Sequence, residues 1–440
     1  MRVLLLASVL LLAGCVAPAA VDPASLAEGA RTAALHRLHV LMAEVPCEVE
    51  AVGAQTSENI LELANIAYDG SAHGEIDARG DWLLAARYQA GGFEVVNIAD
   101  PLSPVLAAVF QSEEENAQDV KWMPDNRTAV VGVNLQVVLV DVGPVLDAAA
   151  TMTPAEILEA NISPVQLSAW TYPLGRSPLE AFANMHMLTT ARINGEDYVF
   201  VAPNTDTGVW LLKRVGDELE LVTNFGAPLG GSALGPHDMS LRWDERMEKP
   251  ILYVANGFEG WLAWDVSAPE SPKLLSVMPN LDPAPVSYTH SAVGGWVGER
   301  RLVVTIGEVG LNMMKVYDAT NWQAPLLLGV WWADALAPHM PQHNLQLVGD
   351  KLYVAHYTKG VYVFNLSAVG GVPLLGTADI RPVAHYAPPE PESPDTLGFG
   401  NVWDVVIHRG LLYVNDMSRG TAVVGYGCLS PGDEAASSVN

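Results

Sequence analysis

Basic residues are scarce in this chain: 23 Lys and Arg stand against 50 Asp and Glu, a formal net charge of −27 at pH 7. Nucleic acid and anionic lipid surfaces both need a basic face, so that balance argues against either as a direct partner. The acidity itself needs no partner to explain it, because it keeps a protein soluble. After residue 13 no apolar run is long enough for a transmembrane helix. A G-x-S-x-G elbow, an H-E-x-x-H helix and a glycine-rich phosphate loop between strand and helix are all missing, which counts against serine hydrolase, zincin and nucleotide chemistry. Beyond Cys47, helical periodicity is scarce too.

Cysteine is limited to three residues, and each has a reading. Met1-Arg2 followed by the apolar run Val3 to Ala13 reads as a secretory signal, too short to span a bilayer as a stable helix. Its end, Leu12-Ala13-Gly14-Cys15, looks like a bacterial lipobox, which makes residues 1–14 a removable signal and Cys15 the acylated first residue of the mature protein. Acyl chains contribute about 0.8 kcal/mol of anchorage per buried methylene. The expected location is therefore the bacterial cell envelope, lipid-anchored at the outer membrane with the body periplasmic or surface-exposed; Val16 lacks the Asp that retains such proteins at the inner one. Residues 15–46 read as a tether with a short helix, in which Asp22-Pro23 supplies cap and first position. Cys47 and Cys428 remain, one near each end of the folded region in a disulfide-permissive compartment, and they are expected to pair. A bridge over so long a loop stabilises by roughly 4 to 5 kcal/mol in the chain-entropy treatment.

What is present in abundance is repetition. Gly92 to Pro104 (Gly-Phe-Glu-Val-Val-Asn-Ile-Ala-Asp-Pro-Leu-Ser-Pro) returns as Gly260 to Pro272 (Gly-Trp-Leu-Ala-Trp-Asp-Val-Ser-Ala-Pro-Glu-Ser-Pro). In both, an Asn or Asp closes an apolar run and prolines follow four and seven residues later; Asp318 with Pro325, and Asn365 with Ser367 and Pro373, extend the series. Short β-rich runs separated by Gly, Asn, Asp and Pro fill the rest. The clearest unit spans residues 343 to 378, with strands expected at His343–Val348, Leu352–Ala355, Val361–Phe364 and Leu374–Thr377. Four antiparallel strands per repeat is the layout of a propeller blade. Units open near Gly74, Gln118, His186, His237, His290, His343 and Trp403, so the fold class is all-β: a seven-bladed β-propeller over residues 47–428, followed by a flexible tail over 429–440. The last unit stops at Cys428 without an outer strand. Asn59 to Ala67 is the segment expected to supply it, closing the ring and covering a sheet edge. Two insertions interrupt the series, Gly143 to Trp170 with a capped helix over Thr153–Glu159, and Pro382 to Gly400, read as an extended loop.

The units Phe93 to Pro104, Trp261 to Pro272 and Val361 to Pro373 resemble the LVIVD repeat, a bacterial extracytoplasmic propeller repeat named for its apolar strand ending in Asp. With Tyr288-Thr289-His290, Glu308 and Gln342-His343-Asn344, the order is similar to the choice-of-anchor B family. The resemblance covers most of residues 56 to 428. It is weaker in blade 2, where only Val137-Val138-Leu139-Val140-Asp141 precedes the insertion, and in blade 3, where Lys213 stands in place of Asp. It implies a fold and an extracytoplasmic setting, and no settled reaction.

The first strand of each blade lines the central channel, and its opening residue sits at one mouth. Register puts His186, His237, His290 and His343 there in four successive blades, with Gln118, Trp403 and Gly74 or His73 in the others. Converging imidazoles are the makings of a divalent transition-metal site for Zn, Cu or Fe, with Glu308 and His339 as candidates to complete it. Asp119, Asp238, Asn344 and Asp404, one position further along their strands, are candidates to orient the rings. Any one of these histidines is read more simply as bonded to a neighbouring carbonyl or Asp at a blade junction; for the four together, a metal or small-ligand site and repeated packing residues weigh about equally. The weaker signals are bland: His36, His39, His385 and His408 as solvated or locally bonded, the tryptophans as blade packing, Asn126-Arg127-Thr128 and Asn161-Ile162-Ser163 as chance glycosylation matches. The favoured function is a membrane-tethered binding scaffold with a protein or cell-envelope partner. The alternative is a metal-dependent oxidoreductase or hydrolase using the channel histidines, with Glu308 as base.

Overall fold

Val, Ile, Leu and aromatic residues in short runs, punctuated by turn residues, form strands because pleated, half-buried surfaces suit them. In the computed structural model the described residues are 23–49, 52–53, 55–67, 71–174, 184–205, 208–226, 235–280, 287–310, 313–333, 342–369, 380–389 and 402–434. They form seven four-stranded antiparallel sheets. The innermost strands are His73–Arg79, Ala117–Trp122, Met187–Ile193, Met239–Asp244, Ser287–Val297, Leu345–Val348 and Val402–His408, in blades 1 to 7. Each touches the next, and the last touches the first. Seven apolar layers fill the spaces between neighbouring blades; the layer joining blade 7 to blade 1 includes Ile66, Ile76, Leu83, Val406 and Val423.

The repeated Asn or Asp now has a physical role. Its side-chain Oδ1 accepts the backbone N–H two residues on, from Ala99 to Asn97 (3.2 Å), Gly143 to Asp141 (2.7 Å), Ser267 to Asp265 (3.0 Å), Thr320 to Asp318 (2.9 Å) and Ser367 to Asn365 (3.0 Å). Each is an Asx turn that ends the third strand and starts the loop to the outer one. The glycine that opens the third strand is equally constrained. Gly92 and Gly260 have φ of 78° and 102°, and a Cβ there would lie 1.9 and 2.0 Å from the carbonyl oxygens of Phe110 and Met278 on the outer strand. A register shift on the outermost pairing recurs in all seven blades, a bulge that increases local twist.

Blade 7 is closed as the sequence predicts. Ile60–Ile66 pairs with Gly420–Tyr426 as its outer strand, and Cys47 is bonded to Cys428 with Cα atoms 4.4 Å apart. The helix before it, Pro23–Met42, docks on the body: Ala34 is buried, Leu38 packs on the blade 7 and blade 1 layer, and Arg37 pairs with Asp100 at 2.7 Å. No helix among the described residues is long and apolar enough to cross a membrane. Cys15 and the signal lie outside the described residues.

Blade 6 differs from the reading of its unit. The outer strand is Pro382–Tyr386, and Leu374 to Thr377 lie outside the described residues, so the segment taken as a loop begins as a strand. The Asx turn at Asn365 leads into a longer connection here, and Pro382 takes the first position of an outermost strand, where its missing N–H costs no ladder bond. The insertion in blade 2 folds as Gly143–Ala148 and Pro154–Glu159, the second with a full capping box between Thr153 and Glu156. Val145 and Ile157 extend the layer between blades 1 and 2.

Candidate metal centre at the channel mouth

The inner strands deliver seven residues to one tier: Gly74, Gln118, His186, His237, His290, His343 and Trp403. Gly74 belongs to it because its Cα faces blade 2 so closely that a Cβ would sit 2.3 Å from the Gln118 carbonyl oxygen. The four imidazoles form a continuous arc. Ring centroids are 4.0 Å apart from His186 to His237, 4.2 Å from His237 to His290 and 4.5 Å from His290 to His343.

Three rings are held by Nδ1. That of His186 donates to Gln118 Oε1, that of His237 to Asp238 Oδ1 (2.9 Å), and that of His343 to the Trp403 carbonyl (2.9 Å). Fixing the proton on Nδ1 leaves each Nε2 with a lone pair, the arrangement found when imidazole binds metal and a partner orients it from behind. His290 is fully buried and hydrogen-bonded at neither nitrogen, and Asp238 Oδ2 is likewise unbonded. A buried polar atom left unsatisfied costs about 1–3 kcal/mol. Three such atoms within one group of chelating residues fit a site shaped for a cation.

Two sets of donors lie within 4.8 Å of one another: His186, His237, Asp238 and His290, and again His290, Glu308 and His343. Zn–N bonds are about 2.0–2.1 Å, so donors to one ion stand at most about 4.2 Å apart, slightly closer than the spacing of these two sets. Burial lowers all four imidazole pKa values; His237 falls to about 4, and His186 and His343 are pushed further by neighbouring imidazoles. At neutral pH the rings are in their ligand form. Burial also raises Asp238, to about 7 despite His290 beside it. Glu308 goes the other way: burial pushes it up, but His290, His237 and a hydrogen bond from Tyr357 (2.7 Å) outweigh that and hold it below the usual range. Its side chain keeps 24 % exposure, so this carboxylate is the solvent-facing edge of the cluster.

The sequence-predicted residues divide. His186, His237, His290, His343 and Glu308 come together, and His339 lies outside the described residues. Asp238, a candidate to orient the rings, accepts His237 Nδ1 and also stands 3.3 Å from His290 Nδ1 and 3.7 Å from His186 Nε2. Asp119, Asp404 and Asn344 make their bonds elsewhere, a correction to their expected role. Asp119 accepts the Leu188 N–H of blade 3 (2.6 Å) and Asp404 accepts the Ile76 N–H of blade 1 (3.1 Å). With Asp77, which accepts Trp122 N–H (2.8 Å), they staple adjacent inner strands across blade junctions. Asn344 donates to Glu75 (2.6 Å) and Asp404 (3.1 Å), at a cavity of about 70 Å³ deeper in the channel.

Glu75, Tyr357 and Tyr88 were not foreseen. Once Gly74 is aligned with Gln118, Glu75 falls at the position of Asp119 and Asp404; there it is buried, its pKa raised well above the usual by burial and then by Asp404. Tyr88 and Tyr357 occupy the position in blades 1 and 6 that Glu308 occupies in blade 5, counted from the Asn or Asp across the hairpin. That register was readable from the repeats.

No family model matches the chain, and no curated protein sequence does. Among solved structures it is similar to the computationally designed Ika8 protein (TM-score 0.50, 12 % identity, covering 83 % of this chain and 99 % of that one). It is also similar to the WD40 β-propeller domain of Doa1 (TM-score 0.50, 9 % identity, 84 % and 97 % covered). At these identities the likeness concerns the fold alone.

Proposed function

We propose that this chain is a lipid-anchored, LVIVD-type propeller of the bacterial cell envelope whose channel-mouth histidines hold a divalent transition metal. The observation that carries the reading is the arc of four neutral imidazoles, three with Nδ1 bonded and Nε2 free, closed by Asp238 and Glu308. Imidazole with carboxylate suits Zn, Cu or Fe. Which ion binds would decide the chemistry, hydrolysis with Zn or redox reactions with Cu or Fe, and Glu308 would be the donor at the exposed edge, where a substrate has access. The lipobox residues Leu12-Ala13-Gly14-Cys15 and the repeated Asx-turn units support the anchor and the repeat type.

Elemental analysis of the purified protein is the test: about one or more equivalents of transition metal per chain is expected, with loss in His237→Ala and His343→Ala variants that keep the wild-type circular dichroism. Metal-free protein that also fails to take up Zn, Cu or Fe on dialysis would refute the reading. For the anchor, Cys15→Ala should move the protein from the membrane to the soluble fraction.

A propeller also fits an interaction scaffold. The groove of about 600 Å³ beside the Cys47–Cys428 bridge, lined by Glu48, Lys351, Arg381 and Tyr426, favours that second role. It predicts partner binding that survives the His237→Ala substitution.

A further inference from the structure

His290 lies at the centre of the arc and belongs to both donor sets. Its Nδ1 is 3.3 Å from Asp238 Oδ2 and its Nε2 is 3.5 Å from Glu308 Oε2, yet neither nitrogen makes a hydrogen bond and the residue has no exposure to solvent. The other three rings each have one nitrogen engaged by a protein acceptor and one free, which is what a ligand to a single ion requires. Neither nitrogen of His290 has such an acceptor, and each lies within 3.5 Å of a different carboxylate.

We propose that the tier holds two divalent transition ions, one on each side of His290, with the His290 ring bridging them. His186, His237 and Asp238 complete one position, and Glu308 and His343 the other. A single ion would use one His290 nitrogen and leave the second buried without a partner, whereas two ions satisfy both. The bridge balances simply: the first ion takes the lone pair of the neutral ring, the second displaces the remaining N–H proton to solvent, and the ring becomes an imidazolate donating one lone pair to each ion. Three anionic groups, the imidazolate, Asp238 and Glu308, then face four positive charges, so the pair retains attraction for one anionic ligand. That ligand would enter at the Glu308 side, where three protein donors leave a coordination position open and the carboxylate is exposed.

This rests on the reading that the tier binds metal, and copper separates the two. Metal-free wild-type protein is titrated with Cu(II) and followed by electron paramagnetic resonance. The expected result is a mononuclear signal that grows to one equivalent and then falls as the second equivalent couples to the first through the ring. Loading one equivalent of Zn before Cu should restore an uncoupled signal, and Glu308→Gln should stop at one equivalent with no loss of signal. Binding that ends at one equivalent in the wild type, abolished in His237→Ala, overturns the bridge and leaves the metal site standing. So does a second equivalent whose spins simply add. Absence of any bound copper, zinc or iron overturns both.

Discussion

His343 donates its Nδ1 proton to the carbonyl of Trp403 at 2.9 Å, while the indole lies over the imidazole with ring centroids 4.0 Å apart. One residue of blade 7 thus sets both the tautomer and the tilt of a ring from blade 6. The indole is itself fixed by its Nε1–H, which donates to Glu75 at 3.1 Å. Trp403→Ala keeps the carbonyl but removes the stack, and a buried Trp truncated to Ala costs about 3–5 kcal/mol. Its metal affinity should fall about 10–100-fold as His343 loses its fixed orientation. A chelator competition alongside a denaturant melt measures the two effects.

Gln118 and Asp404 should separate support of the ring from support of the fold. Gln118 receives the Nδ1 proton of His186, so Gln118→Leu should weaken metal about tenfold with little change in stability. Asp404 accepts N–H groups of Ile76 and Val405 and receives Asn344, so Asp404→Ala strands buried donors and should cost about 2–4 kcal/mol with a smaller change in metal affinity. Equal loss of affinity in both would mean that the junction staple also positions the site.

How much could be read in advance follows from what repetition encodes. Blade count, the closing strand, the disulfide and the common position of His186, His237, His290 and His343 all depend on register, and register is visible because Gly92 and Gly260, or Asn97 and Asp265, serve identical backbone needs. Side-chain direction is not repeated in that way. Asp238 and Asp404 share a position one residue past the tier, yet Asp238 bonds a ring beside it while Asp404 reaches across to a backbone N–H of the next blade. That choice is made by what the neighbouring blade presents, which sequence spacing does not carry. The outer strand of blade 6 was missed for a related reason: the apolar residues 374–377 fit a strand locally, but Pro382–Tyr386 holds the pairing with Val361–Phe364.

The Cys47–Cys428 bridge and the pairing of Ile60–Ile66 with Gly420–Tyr426 fasten the same closure. Cys428→Ala should lower stability by roughly 4 kcal/mol if the bridge acts through the entropy of the unfolded chain. The ring should stay closed, because the apolar layer between blades 7 and 1 is untouched. Equilibrium denaturation gives the first quantity, and unchanged metal stoichiometry reports the second.

His356 offers a pH test away from the imidazole arc. It ends the second strand of blade 6, is buried, and has neither ring nitrogen hydrogen-bonded. Burial first, then the Lys359 charge, lowers its pKa to about 3, against 6.5 unperturbed. Between those values the unfolded chain binds the proton and the folded one does not, so this residue makes stability fall as pH drops below 6.5, with no contribution above it. At pH 4 the difference amounts to about 3 kcal/mol, taking 1.36 kcal/mol per pH unit. His356→Leu removes the titrating group while keeping an apolar side chain of similar bulk. Relative to wild type it should therefore gain about 3 kcal/mol in unfolding free energy on going from pH 7 to pH 4, measured by urea denaturation at each pH. A constant difference between the two proteins across that range would mean that His356 is protonated in the fold, and that water or an acceptor reaches the ring.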